Sequence, residues 1–89
     1  MTIWKYELEI TDLQRVAMPK GAKILSVGKQ GAYACLWAMV DENEDATEER
    51  CIEIVGTGNP MHRSMGFARR FIGTVVMTPF VWHVFERVN

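Results

Sequence analysis

The sequence predicts a mainly β fold: a small, mostly antiparallel six-stranded sheet curled into a barrel or sandwich, with little helix. Three observations predict it. Apolar residues recur with a period of two through most of the chain, no stretch of about 12 residues keeps a helical period, and turn residues recur too often for the long crossovers that parallel strand pairs need.

The first strand is read from Trp4, Tyr6, Leu8 and Ile10, which share one face while Lys5, Glu7 and Glu9 share the other. Residues 11–21 are mixed, and Pro19-Lys20-Gly21 closes them as a turn. Ala22-Lys23-Ile24-Leu25-Ser26-Val27 reads as the second strand, and Gln30-Gly31 as a hairpin turn. Residues 32–40 are apolar at nearly every position, so the third strand is expected to be covered on both faces. Residues 41–53 hold seven acids against the single Arg50, a local balance of −6 that calls for water or a basic partner. Strand character resumes at residues 50–55 and stops at Gly56-Thr57-Gly58-Asn59-Pro60. Residues 61–68 show no period and read as a loop or one helical turn. Residues 71–77 and 80–86 complete the count as a hairpin joined by Thr78-Pro79.

At 89 residues, 48% hydrophobic and 24% charged, the chain is expected to form one globular domain over 1–89. A net charge of −1 argues against a nucleic-acid polymer as partner, because counterion release needs a basic surface. The apolar runs are too short to span a bilayer and the N-terminus alternates, so neither a membrane anchor nor a secretory signal is expected. The cytoplasm is the expected compartment. Cys35 and Cys51 lack metal or redox spacing and are read as buried thiols.

Two features invite a ligand. Gly56, Thr57, Gly58 and Asn59 can present backbone N–H groups as an anion nest, or they simply form a tight turn. His62, Arg63, Arg69 and Arg70 form the basic cluster that follows. Their guanidinium forks suit phosphate or carboxylate, and charge balance with the acidic segment is the competing account. Trp82 is read as core, or as a stacking platform if it stays partly open. His83, on the opposite strand face, is read as a hydrogen-bonded structural residue or a ligand contact. No catalytic constellation is evident: His62 and His83 are far apart, Ser64 lacks an activating setting, and the acids do not follow a calcium loop. No enzyme activity, metal or cofactor is expected.

Ile3-Trp4-Lys5-Tyr6, the run from Met18 to Val27, Cys35-Leu36-Trp37-Ala38, Gly56-Thr57-Gly58 and Trp82-His83-Val84-Phe85 together resemble a family of short bacteriophage proteins of unknown function. The resemblance spans nearly the whole chain. It implies origin and supplies no residue roles. Short phage proteins without catalytic residues commonly act by binding, so the expectation by analogy is a counter-defence protein in the infected host's cytoplasm. It would sequester a phosphate-bearing small molecule such as a cyclic-nucleotide immune signal, using the glycine turn and the arginines. The alternatives are an inhibitor that binds a host defence protein through residues 41–53, and a self-associating accessory or structural protein.

Overall fold

The computed structural model describes residues 1–61 and 68–88. Seven strands follow one another: β1 (Thr2–Leu8), β2 (Leu13–Pro19), β3 (Lys23–Gln30), β4 (Tyr33–Val40), β5 (Thr47–Gly56), β6 (Ala68–Met77) and β7 (Phe80–Val88). They form two antiparallel sheets, a three-stranded one in the order β1-β4-β3 and a four-stranded one in the order β2-β5-β7-β6. The arrangement is not a closed barrel.

The expected six strands become seven because β2 is a strand and not a mixed segment. Leu13, Arg15 and Ala17 are exposed, while Met18 is buried and Val16 packs against the core. Its one-sided burial is obscured in sequence by the small Ala17 on the outer face and Gln14 on the inner. Two further boundaries shift. β5 begins at Thr47 and not at Arg50, and β6 begins at Ala68 and not at Phe71. Both shifts draw charged residues into strands, where alternation decides which face each one meets.

One core joins the sheets. Leu8, Ala34, Leu36, Ala38 and Val40 of the first sheet meet Met18, Ile52, Ile54, Val75 and Val84 of the second. The strand expected to be covered on both faces is covered fully on one. Cys35 is buried on the outer face, Trp37 and Met39 are half-buried, and Tyr33 is exposed. Trp37 gains its cover from its own sheet, since its ring lies close to Gly28 of β3, where a Cβ would sit 3.4 Å from the indole. Cys51 is half-buried, in contrast to the expected buried thiol, because it faces outward from β5.

The hairpin turns fall where the sequence placed them. Gly31 adopts φ 61° between β3 and β4, and a cis Thr78–Pro79 peptide joins β6 to β7. Bulges interrupt both β3, between Ile24 and Ser26, and β6, between Phe71 and Gly73. These two edge strands lie beside each other, with room for no side chain at Gly73: a Cβ there would stand 2.9 Å from Val27 Cγ2.

Leu36 is wholly buried at the centre of β4. Leu36→Ala is expected to cost about 2–5 kcal/mol through lost burial and a residual cavity, read as a lower urea midpoint with an unchanged slope.

Candidate functional site

The arginines expected at a loop site are strand residues, and the alternation of β6 sends neighbours to opposite faces. Arg69 pairs with Arg87 and Phe71 with Phe85 on the outer face of the four-stranded sheet, whereas Arg70 lies opposite Glu86 on the inner face. Each arginine meets a buried carboxylate there. Glu53, 6% exposed, accepts from Arg69 Nε, from Arg69 Nη2 at 3.2 Å and from Arg87 Nη2 at 2.9 Å. Glu86, 2% exposed, accepts from Arg50 Nε, from Arg50 Nη2 at 3.1 Å and from Arg70 Nη2 at 2.7 Å.

Two carboxylates on opposite faces of one sheet are thus each clamped by two guanidiniums. Burial pushes both carboxyls up, but the hydrogen bonds and charges of Arg69 and Arg87 on Glu53, and of Arg50 and Arg70 on Glu86, outweigh it and hold both below the ordinary range. The hydrogen bonds to Glu86 and Glu53 in turn raise Arg50 and Arg69. Glu53 closes the acidic run that calls for water or a basic partner and belongs to the strand read over 50–55; in β5 it meets basic partners, Arg69 and Arg87. Residues 41–47 of that run are exposed.

The turn at 56–60 has a different use. Only Gly58 has positive φ, at 86°. Two of the N–H groups that a nest would offer are committed, Thr57 N–H to Val81 O at 3.1 Å and Asn59 N–H to Gly56 O at 3.0 Å. Gly56, Asn59 and Trp82 do come together, around a hollow of about 250 Å³ whose other walls include Ile10, Asp12, Glu53 and Met61. This hollow carries carboxylates and no cation among the described residues. Thr57 turns to the other side and hydrogen-bonds His83 Nε2 at 2.7 Å, while Thr74 Oγ1 meets Nδ1 at 3.0 Å. Both ring nitrogens of His83 are therefore occupied. His62 and Arg63 lie outside the described residues, as does Ser64.

A second hollow, of about 240 Å³, opens where the two bulged strands meet. Lys23, Arg50 and Arg70 line it together with Ala22, Ile24, Leu25, Phe71 and Ile72. Arg50 is anchored from both sides, donating Nη1 to Ala22 O at 2.6 Å as well as binding Glu86. Arg70 differs, for its side chain is 61% exposed and reaches Glu86 from the rim. Three cations stand against two carboxylates, Glu86 and Glu48, the latter 3.5 Å from Arg50 Nη1, which leaves the hollow with a net positive charge. Of the expected site residues it takes only Arg70; Lys23, Arg50 and Phe71 were missed, because the bulges that bring them together have no sequence signature here. The glycine turn is elsewhere: Trp82 and Glu86 are four residues apart on β7, about 13 Å along the strand. The expected convergence of that turn with Arg69 and Arg70 on one hollow is not found.

Among the described residues no three His, Cys, Asp or Glu side chains lie close enough to hold a metal ion. The chain belongs to a family defined by a domain of unknown function, DUF7352, whose model matches residues 1–89. No curated protein and no solved structure matches it.

A carboxylate held below its ordinary value of 4.5 contributes stability that is fully present above that pH and is lost as pH falls through the folded value. The melting temperature is therefore expected to be flat from neutral pH to about 5 and to fall below about 4.5. Glu86→Gln should lower stability at pH 7 by about 3 kcal/mol and flatten the acid limb, both read by thermal melts across pH. Gly56→Ala places a Cβ 2.7 Å from Asn59 Nδ2 and 2.9 Å from Trp82 Cζ3. It should cost about 1–3 kcal/mol and shift tryptophan emission as the indole moves.

Proposed function

We propose that this chain is a bacteriophage counter-defence protein that sequesters a phosphate-bearing small molecule, such as a cyclic-nucleotide immune signal of the host. What supports the reading is the electropositive hollow between β3 and β6, in which the largely exposed Arg70 guanidinium stands beside Lys23 and Arg50. A guanidinium has five N–H donors, and the contact of Arg70 with Glu86 uses one face of its fork, so the others can grip phosphate oxygens. Phe71 borders the hollow, but its ring packs on Phe85 on the outer face of the sheet, so the basic side chains carry the reading.

At about 240 Å³ the hollow is smaller than the roughly 300–1,000 Å³ of pockets that enclose a whole ligand. It suits a phosphate and its sugar, with the rest of the molecule outside the hollow.

A second reading, inhibition of a host defence protein through the acidic segment, is supported by the exposure of residues 41–47. Asp45→Lys with Glu49→Lys tests it without touching the hollow: loss of counter-defence activity in infected cells with nucleotide binding intact would favour the protein partner.

Calorimetry against cyclic and linear nucleotides tests the first reading. At least one is expected to bind more tightly than about 10 μM, and Arg70→Ala is expected to weaken it about tenfold while leaving the melting temperature within a few degrees. If none reaches that affinity, the capture reading fails.

A further inference from the structure

We propose that the chain forms a two-fold dimer by antiparallel pairing of β1 with β1 of a second copy. Each sheet has two edge strands, β1 and β3 in one and β2 and β6 in the other. Exposed edges invite pairing, and proteins ordinarily blunt them with bulges, proline, charge or a covering element. β3 and β6 are both bulged and lie against each other. β2 ends at Pro19. β1 has no bulge, proline or covering element, its register against β4 running unbroken from Thr2 to Leu8; charge is its one device, as Lys5 and Glu7, and these two are of opposite sign.

The first part of β1 also lacks cover, whereas Tyr6 and Leu8 pack into the core. Residues 2–5 are exposed, with Ile3 at 57% and Trp4 at 43%. Only β4 is hydrogen-bonded to it among the described strands. An open edge without a bulge or proline invites another strand.

Charge complementarity identifies the occupant as a second copy. A two-fold axis normal to the sheet keeps like faces together, so residues pair only in registers that preserve the alternation. Centring the axis on Lys5 would oppose two ammonium groups. Centring it on Tyr6 sets Lys5 opposite Glu7 of the partner subunit, and by symmetry Glu7 opposite the partner's Lys5, while Trp4 meets the partner's Leu8. Opposite charges directly across a strand pair are favourable and like charges are not. Lys5 donates to Gln30 Oε1 at 2.6 Å, and its ammonium keeps two further donors for a carboxylate. β2 offers no such register, because Arg15 is its only charged residue. The dimer joins two three-stranded sheets into a continuous six-stranded one in the order β3-β4-β1-β1-β4-β3 and leaves the hollow between β3 and β6 at its outer ends.

The test is the mass in solution by light scattering across a dilution series, with charge reversal. The wild-type chain is expected at twice 10.2 kDa at high concentration. Lys5→Glu and Glu7→Lys are each expected to weaken dimerisation about tenfold, because each turns two favourable pairs into two repulsive ones. The double variant Lys5→Glu/Glu7→Lys is expected to restore it. Wild-type protein that stays monomeric at 100 μM ~ten times a typical assay concentration, or a dimer indifferent to both single reversals, overturns the proposal. Failure of the double variant to recover while its melting temperature matches wild type overturns the register.

Discussion

The four-stranded sheet depends on two buried carboxylates that their arginines hold charged against the cost of burial. Glu53 and Glu86 occupy opposite faces of adjacent strands, and each is covered by guanidiniums that also neutralise it. The described residues span only 16 Å across their shortest dimension. A two-layer molecule of that thickness has little deep interior, so much of the cover on these acids is the arginine side chains themselves. Those arginines come from three strands: Arg50 from β5, Arg69 and Arg70 from β6, and Arg87 from β7. The clamps therefore tie β5, β7 and β6 together by side chains in addition to the backbone ladder. Removing either acid would leave two cations facing each other, which is why such pairs resist single substitutions more than their net energy suggests.

The same clamps decide what is left for a ligand. Arg69 and Arg87 are drawn to Glu53 on the outer face, and Arg50 is fixed between Glu86 and the Ala22 carbonyl. Arg70 holds Glu86 from the rim and stays largely open. A single anchored but accessible guanidinium costs little conformational entropy on meeting an anion, because its position is already set. The paired bulges supply the space, each adding a residue that widens the gap between the edge strands where they meet. Bulging also protects both edges, so the feature that shapes the hollow leaves β1 and β2 as the edges without a bulge.

Much of the fold was legible in sequence because its signal is local. The alternation of residues 4–10, the hairpin glycine at Gly31 and the Thr78-Pro79 turn each depend on a few adjacent residues, and the corresponding strands are present, although β1 stops at Leu8 and leaves Trp4 and Ile10 exposed. β2 was missed because Gln14 and Ala17 blur its faces, and β5 was shortened because a run of acids looks like a loop until a partner strand neutralises part of it. The site was less legible still. Arg69 and Arg70 are neighbours in the chain, which suggested one cluster, yet membership in a strand separates them by the thickness of the sheet.

The amino-acid order by itself determined that this chain is mainly β and antiparallel, since period-two alternation and short connections need no information from distant residues. Only the tertiary structure decided that there are two sheets, which arginine meets which acid, and where an electropositive hollow opens. Those outcomes rest on contacts between residues 16 to 36 positions apart, such as Arg69 with Glu53 and Arg50 with Glu86, and on bulges that arise when two strands meet. Neither leaves a mark in a local pattern, because the energy that fixes them appears only once the strands are side by side.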